Sequence, residues 1–277
     1  MGALADAEAY MQLASRAYDK YAGILERVPQ GLANNLRVML AISYKFSEDG
    51  FSDGYMFAGG LGVLGNVVGV AGEDAIERFR DVHDIDVLVR GITLYPEVGA
   101  AFDVIEDYGR SYQIPNKRFI RGMCEALDGS LMEAEADVFV PFSKGKRVED
   151  SSTRIWRVMG AYIHEGHWEE FDSRRAVEAQ RNMTKANFFG LSVGCVHPLS
   201  LLEMKLNVVC SHGNPREKDC NDVMNLVGVL EKKGFPPAYV REWISPARRA
   251  CFKNLLTNLD YAPIVPFSRS YKGELLK

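Results

Sequence analysis

Two aspartates one residue apart, Asp84 and Asp86, stand in an apolar run that begins 24 residues after the glycine pair Gly59-Gly60. The run Asp-Ile-Asp-Val-Leu-Val over 84–89 predicts a strand, because its apolar residues are β-branched or leucine. Side chains on a strand alternate faces, so the two carboxylates share one face, about 6–7 Å apart. That spacing suits a shared divalent ion, or two ions about 3.5–4 Å apart. Like charges side by side repel, so an apolar strand gains nothing structural from them. The glycine pair follows Tyr55-Met-Phe-Ala58, a short predicted strand, and opens a helix predicted over 61–70. Glycine lets the backbone come close to a ligand, and a helix N-terminus is a seat for phosphate. Carboxylate and phosphate oxygens together call for a hard ion, Mg²⁺ or Mn²⁺. A third carboxylate is expected from the strand Ala136-Asp-Val-Phe-Val-Pro141. Asp137 is the choice there, to hold a second metal or act as base, with Glu135 as the alternative.

The elements that must position these residues follow from periodicity. A helix is predicted over 5–28, from Tyr10, Leu13, Ala14, Ala17, Tyr21, Ile24, Leu25 and Val28, and ends at Pro29 and Gly31. A second covers 32–46, followed by turn signals over 47–54. The polar stretch 71–81 is expected to be a loop or an extra helical turn, and 100–109 a helix. Residues 110–121 carry Arg110, Lys117, Arg118 and Arg121, interleaved with Tyr112 and Phe119 and with no acid. Residues 187–196 read as one strand. Pro198 opens a helix with the stripe Leu199, Leu202, Leu206 and Val209, capped by Gly213. Asn214-Pro215-Arg216-Glu217 predicts the start of the next helix, whose stripe is Val223, Leu226, Val227 and Leu230. Gly234 and Pro236-Pro237 stop it, and a last helix is expected over 237–259. The fold class is therefore α+β: a mixed sheet flanked by helices, with N-terminal helices and a C-terminal helical region. Three parts are expected: a helical segment over 1–50, an α/β core over 51–196, and helices over 197–277 that complete the site.

Composition sets the bounds. The chain has 277 residues, 47% of them apolar, and a net charge of −4. That is enough apolar material for a real core, and it excludes a global basic field for nucleic acid. Five cysteines, none in C-x-x-C spacing, predict reduced thiols in a cytoplasmic protein. No basic-then-apolar leader and no run of about 18 apolar residues is present, so no membrane partner is expected. His164-Glu-Gly-His167 is one residue short of a zinc-helix motif and reads as a turn with solvated histidines. His83 faces away from Asp84 and reads as a support behind the site or as structural. Arg248, Arg249 and Lys253 read as a helix surface.

Gly59-Gly60, a helix, Arg80 and then Asp84-Ile85-Asp86 resemble the first motif of the nucleotidyltransferase superfamily, with its DNA polymerase β-like fold. Leu201-Leu-Glu-Met-Lys205-Leu, Arg216 and Lys218-Asp219-Cys-Asn-Asp222 are similar to the later motifs of the AbiEii-like branch, which includes toxin-like members. The resemblance spans roughly 55–232. It implies that Gly59 and Gly60 cradle a triphosphate, that Asp84 and Asp86 bind metal, and that Lys205 contacts a phosphate. It also implies that Asp219, with Lys218 and Asp222, lines or braces the site. The implied activity is Mg-dependent transfer of a nucleotidyl group from a nucleoside triphosphate to a hydroxyl of RNA, tRNA or a small molecule. An antitoxin-like protein is an implied partner. The interval between glycines and aspartates is longer than is usual in the family, with the excess in 71–81. That motivates the alternative of a non-catalytic nucleotide-binding or protein-interaction module. Within one helix, an ion pair between Lys218 and Asp222 is the plain structural expectation.

Overall fold

The computed structural model describes residues 21–48, 54–89, 102–111, 114–127, 129–139, 183–211, 215–257 and 261–277. Residues 21–25 end a helix. After them come α1 (Gln30–Glu48), β1 (Tyr55–Phe57), α2 (Gly59–Ala71), a 3₁₀ helix (Glu73–Arg78), β2 (Asp86–Val89), β3 (Phe102–Ser111) and β4 (Ile114–Glu125). Next are β5 (Leu131–Phe139), β6 (Thr184–Phe188), β7 (Leu191–Cys195), α3 (Pro198–Ser211), α4 (Glu217–Lys232), α5 (Pro237–Trp243), α6 (Pro246–Thr257) and α7 (Arg269–Leu276). The fold is α+β.

The seven described strands form one mixed sheet in the order β3-β4-β5-β2-β1-β7-β6. β3, β4 and β5 make an antiparallel meander at one side. β6 and β7 make a hairpin at the other. In the middle, β1 and β2 run antiparallel, β2 pairs β5 in parallel, and β1 pairs β7 in parallel. The central strands are short and apolar, and Tyr55, Phe57, Val87 and Val138 are fully buried.

α2 reads Gly-Gly-Leu-Gly-Val-Leu-Gly-Asn-Val-Val-Gly-Val-Ala and is buried from Gly60 to Val68. A helix apolar all round belongs inside a protein, and this one lies under the sheet's β6–β7 side. Gly65 packs directly on the Cys195 thiol. Asn66, fully buried, donates to Gly62 O and Val196 O, each at 2.9 Å, and so ties the helix to the end of β7. α3 and α4 close the core with Leu199, Leu202, Leu206, Val223, Leu226, Val227 and Leu230, all buried.

Several elements differ from the sequence expectation. Residues 102–111 are a strand, not part of a helix over 100–109; β3 finds its hydrogen-bond partners in β4, with register shifts that blur the alternation. Residues 187–196 are not one strand but fall in the β6–β7 hairpin, which turns at Phe189 (φ 55°) and Gly190 (φ 97°). The helix expected over 237–259 is two helices, broken before Pro246, whose missing N–H and ring favour a helix start. α4 begins at Glu217 with Arg216 as its N-cap, without a capping side chain. Residues 71–81 contain the 3₁₀ helix.

Two further expectations change. Cys210 and Cys251 form a disulfide, Cα–Cα 5.9 Å, joining α3 to α6. Cys124, Cys195 and Cys220 are buried free thiols. Arg248 is no surface residue: its side chain is 11% exposed and pairs with the buried Glu203 at 3.2 Å. Gly213, Asn214, His164 and His167 lie outside the described residues. Among the described residues no helix is long and apolar enough to cross a membrane.

Candidate nucleotide and metal site

The glycine turn and the aspartates meet in space. β1 has only three residues because Ala58 and Gly59 swing the chain into α2. Gly59 has φ 53°, and a Cβ there would overlap the Asp86 carboxylate. Glycine is the one residue that meets both demands without strain. The join is also backbone to backbone, with Ala58 N donating to Asp86 O at 2.9 Å. Gly60 is buried, and a Cβ on it would stand 3.1 Å from Arg80 Nη2 and 3.1 Å from a Val82 methyl.

Asp86 stands in register with Asp137 on the neighbouring parallel strand β5, so the two side chains leave the same face of the sheet. Asp137 N donates to Ile85 O at 2.7 Å, which locks that register. Asp86 and Asp137 are both half-buried and both have partners. The strand starts at Asp86, not Asp84. β1 ends at Phe57, opposite Val87, so nothing on that side can carry the ladder back to Asp84. Asp84 is exposed in the segment leading into β2, and Glu135 is exposed one alternation before Asp137. Among the described residues, no three histidine, cysteine or acidic side chains are grouped to hold a metal ion. The expected triad of Asp84, Asp86 and Asp137 is thus a pair with an outlier.

The C-terminal motif residues sit beside the turn as one ion chain. Arg80 grips Asp222 with both arms of its guanidinium, Nε to Oδ1 at 2.8 Å and Nη2 to Oδ2 at 2.5 Å. Lys205 Nζ lies 2.7 Å from Asp222 and 3.1 Å from Asp219. Arg216 Nε donates to Asp219 at 2.7 Å. Three cations thus alternate with two carboxylates. Both carboxylates are essentially buried, and Arg216, at 60% exposure, is the end of the chain that meets solvent.

Burial opposes charge at Asp219 and at Arg80, and their partners overcome it. The Asp219 carboxyl is pushed up by desolvation, yet the Lys205 charge and hydrogen bonds from Lys205 and Arg216 hold it below the usual carboxylate range. Burial likewise works against the Arg80 cation, and its hydrogen bonds to Asp222 leave it more firmly protonated than an ordinary arginine.

Lys205, Asp219 and Asp222 are therefore brought together, and Gly60 touches their edge through Arg80. Lys218 stands half-buried in the first turn of α4, and Asp222 binds Arg80 and Lys205 rather than the expected Lys218. Arg80 is the residue whose part sequence reasoning missed. It stood in the motif, but nothing local signals that its partner lies 142 residues away. His83 is exposed, 3.5 Å from an Asp81 oxygen. A polar recess of about 260 Å³ opens beside it, lined in part by Asn34, Asn35, Glu133 and Glu135.

No protein-family model matches the chain. No curated protein matches it either. In fold it is similar to the crystal structure of an antigenic nucleotidyltransferase-like protein from Paracoccidioides brasiliensis, at 14% identity and a TM-score of 0.39, over 69% of this chain and 75% of that one.

Proposed function

We propose that the chain is a metal-dependent nucleotidyltransferase of the AbiEii-like kind, acting on a nucleoside triphosphate and an acceptor hydroxyl of RNA, tRNA or a small molecule. The observation that carries the reading is the seating of the Asp86 carboxylate against Gly59 at the start of α2, with Asp137 in register beside it. A phosphate seat and paired carboxylates then share one corner of the sheet.

The donor set fits the ion. Mg²⁺ is commonly held by one or two carboxylates and fills its remaining positions with water and substrate phosphates, which is what Asp86 and Asp137 offer. Asp84, exposed at the entrance to β2, supplies a further carboxylate on the solvent side. When bound, the ion neutralises charge on the phosphates and the leaving pyrophosphate. The amides at Gly59 and Gly60 hold phosphate oxygens at the positive end of α2. Lys205 and Arg216 add positive charge on the α3–α4 side, while Lys218, Asp219 and Asp222 brace it. The acceptor oxygen attacks the α-phosphorus, the bond to the β-phosphate oxygen breaks, and pyrophosphate leaves. Asp137 receives the acceptor's proton.

Incubation with each labelled nucleoside triphosphate, Mg²⁺ and total RNA or a small-molecule panel tests this. Asp86→Asn is expected to cut pyrophosphate release by about a hundred- to a thousandfold, as loss of charge stabilisation at the reacting centre does, with folding intact by circular dichroism. Near-normal release in that variant sinks the reading.

A second reading is a nucleotide-binding module without turnover, the toxin-like half of a pair with an antitoxin-like protein. The exposed position of Asp84, which belongs to no group of three metal-binding side chains among the described residues, favours it. Metal-dependent nucleotide binding with no pyrophosphate released would support it over the enzyme.

A further inference from the structure

Between the 3₁₀ helix and β2 the chain crosses the site as a strap, residues 79–85, pinned on both sides. On one side, Asp81 Oδ1 accepts from Leu32 N at 2.7 Å and Val82 N at 3.0 Å, and Asn35 Nδ2 donates to Val82 O at 2.8 Å, which fastens the strap to α1. On the other side, Arg80 reaches Asp222 on α4. The third guanidinium nitrogen, Nη1, donates to Asp81 O at 2.7 Å, so the side chain also braces the strap from which it springs. Its charge lies 5.6 Å from the centre of the Phe79 ring. Gly60 and its helix start rest on this strap, in contact range of Arg80 Nη2 and Val82.

All three guanidinium nitrogens are thus committed within the protein, and the side chain is 19% exposed. With three of its five N–H groups used inside the protein and its charge paired with Asp222, this guanidinium makes a good spacer, because its planar fork fixes angle as well as distance. We propose that Arg80 is a positioning residue that sets the glycine turn against Asp86, using Asp222 on α4 as its anchor. The inference rests on the nucleotidyltransferase reading for its purpose, but the hold on the turn can be read without nucleotide. Two amides report it directly: Ala58 N, which donates to Asp86 O at 2.9 Å, and Gly62 N, which donates to Ala58 O at 2.7 Å.

The test is native-state hydrogen exchange on the full chain with R80K, which keeps the charge and loses the fork. Asp222→Asn serves as the second variant should R80K fold poorly. Exchange at Ala58 and Gly62 is expected to quicken by about tenfold or more relative to the Val240 amide of α5, which reports opening elsewhere. Calorimetry with a non-hydrolysable nucleoside triphosphate and Mg²⁺ is expected to show affinity weakened by about tenfold, the consequence of a loosened seat. Unchanged exchange at the two amides overturns the proposal, as does equal acceleration at Val240, which would make Arg80 a general stabiliser. Looser amides with unchanged nucleotide affinity overturn it as well. A wild-type protein that binds no nucleotide defeats the nucleotidyltransferase reading instead, and the exchange ratio still decides whether Arg80 holds the turn.

Discussion

Gly59 carries two demands at once, a φ of 53° and a Cα surface filled by the Asp86 carboxylate. Gly60 carries only the second, and more gently, with its nearest neighbours at 3.1 Å. The two glycines look alike in sequence and should behave differently when changed. Gly59→Ala meets a left-handed backbone penalty of about 1–2 kcal/mol, and its methyl must push Asp86 aside as well. Gly60→Ala asks only that the end of the Arg80 side chain and a Val82 methyl give way by a few tenths of an ångström. Urea midpoints should therefore fall by clearly more for Gly59→Ala than for Gly60→Ala, and Mg-dependent nucleotide binding should be lost in the first and weakened in the second. Equal effects would show that Asp86 is not held against Gly59. The pairing of glycine with aspartate was readable from residue types alone, because each type has few uses in a buried apolar setting. The strand expected over 84–89 starts at Asp86 instead, for a reason the local pattern hides. Alternation places Asp84 beside Asp86 only if the strand reaches that far, and strand length is decided by the partner β1.

The 71–81 stretch shows how an element can reverse the meaning of a spacing. Extra residues between glycines and aspartates suggested a displaced turn; instead they include a 3₁₀ helix and lead into the strap that carries Arg80 and Asp81. Helices with clean apolar stripes, α3 and α4, were legible because their period survives whatever packs on them. β3 was not, since Ala100-Ala101 and the acids Asp103, Glu106 and Asp107 suit a helix, and only the distant β4 makes the segment a strand. The pairing of α3 with α6 was invisible for the same reason. Their disulfide links cysteines 41 residues apart that share no motif. It sits with Arg248, whose guanidinium binds Glu203 and Asn207 on α3, so the helix bearing Lys205 is clamped twice to α6. Closing a 41-residue loop constrains the unfolded chain by about 4 kcal/mol in the chain-entropy account. Cys251→Ser should therefore lower stability by about 2–4 kcal/mol under non-reducing conditions and change little with reductant present. Alkylation of the unfolded, unreduced chain should label Cys124, Cys195 and Cys220 only. Five labelled thiols would mean that Cys210 and Cys251 are neighbours and not a bond.

At the scale of the molecule, the site draws on nearly every layer. β1 and α2 bring the turn, β2 and β5 the carboxylates, α3 and α4 the ion chain, and α1 fastens the strap between them. The sheet order makes this possible. β2 lies between β5 and β1, so Asp86 stands in register with Asp137 on one side and against the glycine turn on the other. Net charge bears on what enters: at −4, the chain as a whole repels polyanions, so a nucleoside triphosphate should arrive with its charge partly masked by a divalent ion. A ligand that bridges elements from so many layers stabilises the fold as a unit, by an amount set by its concentration over its Kd. At a hundredfold excess that is about 2.7 kcal/mol, which in a chain of this size raises the melting temperature by about 5–10 °C. The rise should require nucleotide and Mg²⁺ together, should be small with either alone, and should vanish in Asp86→Asn. A differential scanning measurement with the four combinations decides it. If the nucleotide stabilises the protein equally without Mg²⁺ and in Asp86→Asn, it binds away from the carboxylate pair, and the corner where Gly59 meets Asp86 is a packing solution with no catalytic purpose.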